Sequence, residues 1–154
     1  HKRYKWLWRT RLYKGESIMI TAFDLIVKYT PFYYYATPCL NGNYYIGYWM
    51  DAYKDGTKVK KDDTISEQDA QELLKFYLNK IELPEGSWTD NQKEALKSLI
   101  YYMQFAWDES EIKKAIDKKD YLSVREEWEK LRDTEVFENN KPWKQEEINL
   151  FFGE

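Results

Sequence analysis

The chain has 154 residues with 24 Lys and Arg, 27 Asp and Glu, and a formal net charge of −3, which suits one folded domain. Hydrophobic residues make up 43% and aromatic residues 18%, so the composition excludes a disordered polypeptide. No apolar run approaches the roughly 18 residues that a membrane span needs. The single cysteine, Cys39, excludes an intrachain disulfide, and with only His1 beside it no Cys/His zinc site is expected. The sequence predicts neither a metal nor a cofactor.

The charge is unevenly distributed, and we expect a basic aromatic arm over residues 1–16 followed by one domain over residues 17–154. Residues 1–14 carry six basic groups and no acid, whereas the rest carry 18 basic and 27 acidic groups, a net charge of −9. Such an acidic body argues against nucleic-acid binding. Three roles of the arm stay open: packing on its own domain, docking to another protein, or contact with nucleic acid or membrane. The docking role would use Lys5, Trp6, Trp8, Arg9 and Arg11.

The first half of the domain combines one short helix with hairpin chemistry. Residues 17–29 read as an apolar helix that Ser17 opens and Pro31 stops, because proline disfavours helix at the residue before it. Residues 32–59 are rich in tyrosine, glycine and proline, which is typical of strands and turns. The segment Asn41–Asn43 is the clearest turn, since Gly and Asn tolerate positive φ.

The second half reads as helical. Ser66 is expected to cap one helix, and Thr89 with Gln92 forms a capping box for a central helix that runs through Trp107. Two shorter helices are expected around 109–118 and 120–132, and a last helix has Pro142 in its first turn and ends near Phe152. The prediction is an α+β fold in which a small β-rich lobe is carried on a larger, mostly helical lobe.

The order and spacing of several strings resemble the phage-type lysozymes, glycoside hydrolase family 24, over roughly residues 18–152. The strings are Thr89-Asp90-Asn91-Gln92 with Ala95-Leu96 and Ser98-Leu99, Asp120-Tyr121 with Trp128, Ile46-Gly47-Tyr48, and Asp63-Thr64-Ile65-Ser66 with Ala70 and Leu73-Leu74. The resemblance implies a lysozyme-like fold and a phage or prophage source.

The catalytic pattern of that family is Glu, then Asp nine positions on, then Thr six positions beyond. The Glu follows a "K-x-F" end of the first helix, which resembles Lys28-Tyr29 here, so the three positions fall on Thr30, Cys39 and Tyr45. One branch of the family has Cys at the Asp position. The Gly and His of the family's "G-Y-G-H" turn fall on Trp49 and Met50. The spacing is kept while the catalytic side chains are replaced.

These replacements bear directly on glycosidic cleavage, which needs a carboxylic acid to protonate the leaving oxygen. The hydroxyl of Thr30 is too weak an acid for that role. Cys39 could act only as a thiolate, and no cationic residue nearby in the sequence favours one. Asp51 is the fallback candidate for an acid, and Asp24 is a second carboxylate of the region, although both also suit ordinary solvated or capping roles.

Ten aromatic residues lie in the 25 positions from Tyr29 to Tyr53. Rings with polar tips suit the core of a small sheet, a protein interface and sugar stacking alike, and all three interpretations stay open. The candidate binding residues are Tyr33, Tyr35, Tyr45, Trp49 and Met50.

The sequence favours a non-catalytic lysozyme-like protein, a pseudoenzyme that acts as a binding or structural module. One alternative is a muramidase with rearranged groups, for instance Asp51 with Cys39, and another is a peptidoglycan- or glycan-binding module. The expected partner is a protein, such as a virion or other phage component, with peptidoglycan or another glycan as a further ligand. No signal peptide is visible, which favours the phage virion or the bacterial cytoplasm.

Overall fold

The computed structural model describes residues 19–134 and 137–154. Its elements in chain order are α1 (Ala22–Tyr29), β1 (Tyr33–Pro38), β2 (Tyr44–Gly47), α2 (Glu67–Lys80), α3 (Asp90–Met103), a 3₁₀ helix (Gln104–Trp107), α4 (Glu111–Asp117), α5 (Tyr121–Asp133) and α6 (Asn140–Phe152). This is the predicted α+β class. Two compact units divide the chain: the hairpin unit, Tyr29–Glu82, and the helical unit, which joins the described residues up to Lys28 to Leu83–Glu154. No described helix has the length and hydropathy that crossing a membrane requires.

The hairpin unit is built on the predicted turn. Strands β1 and β2 pair antiparallel, with Thr37 opposite Tyr45 and a register irregularity between Tyr33 and Thr37. The turn closes where the amide of Cys39 donates to the carbonyl of Asn43 at 2.9 Å. The hairpin prediction is therefore confirmed.

The other edge of β1 is occupied by the segment before α2. The amide of Ala36 donates to the carbonyl of Asp63 at 2.9 Å, and the amide of Ile65 donates to the carbonyl of Tyr34 at 3.1 Å. The predicted cap is confirmed, because the hydroxyl of Ser66 accepts a hydrogen bond from the amide of Asp69 at 3.1 Å. Helix α2 then buries Ala70, Leu73, Leu74 and Leu78.

Helix α1 begins later than predicted. Residues 19–21 are not helical, so the expected start at Ser17 is wrong, although Ser17 itself lies outside the described residues. The reason is a reciprocal cap: the hydroxyl of Thr21 accepts from the amide of Asp24, and the carboxylate of Asp24 accepts from the amide of Thr21, each at 3.1 Å. The side chain of Glu94 on α3 also accepts from the amide of Ala22 at 3.0 Å.

Helix α3 has the predicted Thr89–Gln92 capping box but ends earlier than expected. The prediction that it runs through Trp107 is wrong, because Gln104 adopts φ 51° and ψ −128° and the chain continues as a 3₁₀ helix. The helical core is nevertheless built around α3. It contains the buried residues Ala95, Leu96, Leu99, Trp107, Ile112, Ala115, Ile116, Val124, Trp128, Ile148 and Phe151. The three later helices are confirmed, with Pro142 in the first turn of α6.

A polar network that the sequence pattern did not indicate lies inside this apolar core. The carboxylate of Glu147 accepts hydrogen bonds from the ammonium of Lys144 at 2.8 Å, the hydroxyl of Ser98 at 2.6 Å and the indole of Trp128 at 3.2 Å. The indole of Trp143 donates to the hydroxyl of Ser98 at 2.8 Å. Burial raises the pKa of Glu147, and the ion pair and hydrogen bonds oppose that rise.

Candidate functional site

The three positions that the sequence predicts for the family's catalytic residues all lie in the hairpin unit. Thr30 follows the last residue of α1 in a bend and is half-buried. Cys39 follows β1 at the start of the turn, half-buried and with a free thiol. Tyr45 belongs to β2 and is buried. The acidic side chains that glycosidic cleavage needs are therefore absent at these positions themselves.

The side chain of Tyr45 is fixed at both ends. Its hydroxyl accepts a hydrogen bond from the side-chain amide of Asn41 at 3.1 Å. Its ring stacks on Trp49 with centroids 4.6 Å apart and planes 9° from parallel. Trp49 also contacts Tyr33 of β1 at a centroid distance of 5.3 Å. We call the rings of Tyr33, Tyr45 and Trp49 the aromatic stack.

Trp49 lies in a tight turn that Ile46 and Met50 close. Ile46 and Met50 exchange two backbone hydrogen bonds, of 2.9 and 3.0 Å, around the three residues between them. Trp49 has φ 69°, a left-handed conformation that costs a residue other than glycine roughly 1–2 kcal/mol. The resemblance to the family places glycine at this position, and glycine adopts positive φ without that strain. The ring contacts offset the backbone strain.

Close packing beneath the turn explains why one glycine of the motif is retained. Gly47 has φ 66°, and a Cβ there would lie 3.0 Å from the Cβ of Ala70 and 3.2 Å from the Cε of Met50. Met50, one of the candidate binding residues, is only 4% exposed and offers a ligand almost no surface in this structure.

The candidate binding residues divide into two groups. Tyr33, Tyr45 and Trp49 contact one another in the aromatic stack, where Tyr45 is 7% exposed. Tyr35 is 65% exposed and instead meets the ring of Tyr34 edge-on at 4.7 Å. The exposed tyrosine pair is thus a separate surface from the stack. The predicted docking residues Lys5, Trp6, Trp8, Arg9 and Arg11 lie outside the described residues.

The two alternative carboxylates have local structural partners. Asp51 is half-exposed, and its carboxylate accepts from the ammonium of Lys58 at 3.4 Å. Asp24 belongs to the cap of α1 described above. Within residues 19–134 and 137–154, no three His, Cys, Asp or Glu side chains are grouped in a way that could hold a metal ion.

One perturbed pair lies in the loop that follows the turn. The hydroxyl of Tyr53 donates to the carboxylate of Asp63 at 2.8 Å. Burial, together with this hydrogen bond, raises the pKa of Tyr53 to about 12. The amide of Lys60 and the hydroxyl of Tyr53 lower the pKa of Asp63 by hydrogen bonding its charged form. The pair closes the loop and leaves its carboxylate ionised at neutral pH.

Comparison with known proteins decides the family. The family model described as phage lysozyme matches residues 28–141. The chain belongs to the phage lysozyme family. A search of curated proteins finds no match to this chain.

Solved structures of similar fold include the following three proteins. The endolysin from Escherichia coli O157:H7 phage FAHEc1 is similar with a TM-score of 0.63 and 19% identity, over 88% of this chain and 92% of that one. The muramidase domain of SpmX from Asticaccaulis excentricus has a TM-score of 0.64 and 20% identity, over 88% and 97% of the two chains. A mutant of P22 lysozyme has a TM-score of 0.59 and 20% identity, over 87% and 99%. At these identities the likeness establishes the fold.

Proposed function

We propose that this phage lysozyme family member is non-catalytic and acts as a binding or structural module. The observation that carries the proposal is the identity of the residues at the family's catalytic positions, Thr30, Cys39 and Tyr45. A threonine hydroxyl cannot protonate a leaving oxygen near neutral pH, and removal of a general acid typically costs about 10²–10⁴ in rate. The loss of several groups together leaves little activity.

The aromatic stack supports the same proposal by occupying space. The family pattern has threonine and glycine where Tyr45 and Trp49 stand, and the two large rings lie parallel at 4.6 Å. Where the family's small residues would leave room for substrate and water, this chain has two large rings. The contacts of Tyr33 and Asn41 hold the two rings in place.

The proposed partner is another protein, and the proposed docking element is the arm of residues 1–16 ahead of the domain of residues 17–154. The support is chemical: residues 1–14 hold six basic groups with no acid, interleaved with tyrosine and tryptophan. Aromatic and arginine side chains are enriched at protein interfaces.

A turbidity assay on purified peptidoglycan tests the absence of catalysis. We expect no clearing by the full chain under conditions in which an active lysozyme clears the suspension. Robust clearing that Asp51→Asn abolishes would instead establish the muramidase with rearranged groups. Clearing that survives Asp51→Asn would also overturn the proposal and would move the search for the acid elsewhere.

A pull-down with insoluble peptidoglycan separates a glycan-binding module from a protein-binding one. We expect the full chain to stay in the supernatant. Saturable retention that Tyr35→Ala weakens, while the exposed control Phe105→Ala does not, would favour the glycan-binding alternative, because Tyr35 is the exposed member of the candidate binding residues.

A further inference from the structure

The hairpin unit contains an open groove, and none of the three rings of the aromatic stack is among its lining residues. Its volume is about 790 Å³, within the range typical of ligand sites. Its walls come from β1, from the loop at residues 53–57 and from the start of α2. The side chains that matter to its chemistry are Tyr34, Tyr53, Lys54, Asp55, Asp69 and Glu72.

The groove is acidic. Asp55, Asp69 and Glu72 face a single lysine, Lys54, among its charged lining residues. The carboxylates of Asp55 and Asp69 form no ion pair with any residue in the described part of the chain. The amide of Thr57 donates to the carboxylate of Asp55 at 2.9 Å, which fixes it in place. A cationic ligand complements this lining.

The walls of the groove also offer aromatic surface. Tyr34 is 49% exposed, and the edge-on ring of Tyr35 supports it. Tyr53 is held by its hydrogen bond to Asp63. Tyrosine faces attract arginine and lysine side chains and pack well against other rings. The lining therefore suits a segment in which basic and aromatic side chains alternate.

The chain itself contains such a segment. Residues 1–14 read HKRYKWLWRTRLYK, with basic and aromatic side chains alternating along most of their length. We propose that residues 1–14 of one copy bind the acidic groove of a second copy. This proposal rests on the docking function proposed above for the arm and identifies its acceptor.

The arm and the groove of this contact belong to different copies, so the contact sets no requirement on the length of chain between an arm and its own domain. Repetition of this head-to-tail contact builds a ring or an open filament, and either suits a structural module.

Sedimentation of the full chain over a range of concentrations tests the proposal. We expect reversible association that weakens as salt is raised, since the contact is between opposite charges. The variant Asp69→Asn with Glu72→Gln removes two exposed groove charges and should weaken association at least tenfold. The matched control, Glu109→Gln with Glu126→Gln, removes two exposed charges from the helical unit and should leave association unchanged.

A charge exchange makes the test independent of folding defects. Arg9→Glu with Arg11→Glu should abolish association, and mixing this variant with Asp69→Lys and Glu72→Lys protein should restore it. A wild-type chain that stays monomeric throughout would overturn the proposal, and so would a groove variant that associates as the control does. These outcomes are separate from peptidoglycan clearing, which alone decides whether the chain is non-catalytic.

Discussion

The ammonium of Lys144 donates a 2.8 Å hydrogen bond to the carboxylate of Glu147 three residues along α6, with both side chains fully buried. The ammonium also lies 3.8 Å from the ring centroid of Tyr102 and 4.0 Å from that of Trp143. Rings and ion pair together replace the water that Lys144 would otherwise bind. The helical unit therefore holds this ion pair within its core.

We expect Lys144→Met to lower the free energy of unfolding by roughly 3–5 kcal/mol, because it leaves the carboxylate of Glu147 buried without its counter-charge. The matched control is Lys114→Met, which breaks another pair three residues apart, with Glu111, on the surface of α4. An exposed pair of that kind is worth about 0–1 kcal/mol. Denaturant unfolding followed by circular dichroism measures both, and equal losses would contradict the argument.

At position 49 a glycine variant should be more stable than an alanine variant, which reverses the usual order of the two residues. Both Trp49→Ala and Trp49→Gly lose the ring stack, but only alanine keeps the left-handed strain at φ 69°. We expect the glycine variant to be more stable by about 1 kcal/mol. At Tyr35, within β1, the same two substitutions should rank the other way by about 0.5–1 kcal/mol. Thermal or denaturant unfolding of the four proteins gives the comparison.

A carboxylic acid placed at position 30 alone should not give a lysozyme. We expect Thr30→Glu to give no clearing of peptidoglycan, because Cys39, Tyr45 and Trp49 still stand where the family pattern has Asp, Thr and Gly. Clearing above background should require Thr30→Glu together with Cys39→Asp, Tyr45→Thr and Trp49→Gly. Circular dichroism of each variant controls for folding. Strong clearing by Thr30→Glu alone would show that the stack does not obstruct the site.

Acid should destabilise the hairpin unit partly through Asp63. Hydrogen bonds from Lys60 and Tyr53 hold the pKa of Asp63 below its ordinary value of 3.8. Its contribution to stability is therefore complete above that value and disappears as the pH falls through the lower folded pKa. Asp63→Asn should make the free energy of unfolding fall less steeply below pH 4. The same change at the exposed neighbour Asp62, Asp62→Asn, should leave that slope as it is. Unfolding midpoints across an acid pH series check this, and identical slopes would refute it.

The local signals in the sequence located most of the elements. The Thr89–Gln92 box, the cap at Ser66 and the turn at Asn41–Asn43 all occur as predicted, because each depends on side chains within three residues of the backbone they satisfy. The two errors in helix bounds have different causes, and the start of α1 is set by the local cap of Thr21 and Asp24 rather than by Ser17. Gln104 ends α3 in a conformation that its own residue type does not favour, so its sequence carries no stop signal.

The candidate site was only partly predictable from the sequence. Spacing along the chain assigned Thr30, Cys39 and Tyr45 to the family positions, since that assignment needs no three-dimensional information. The parallel stack of Tyr45 on Trp49 depends on a left-handed turn at a tryptophan, which no propensity predicts. The acidic groove joins residues from three separate segments and has no signature in any one of them.

Cys39, the chain's one thiol, lies half-buried at the mouth of the hairpin turn, with its amide bonded to Asn43. A maleimide dye or nitroxide label would therefore attach at a single defined point without any engineered mutation. Such a reporter would sit in the unit that holds both the aromatic stack and the acidic groove. Its spectrum would register a bound partner through a change in the label's surroundings.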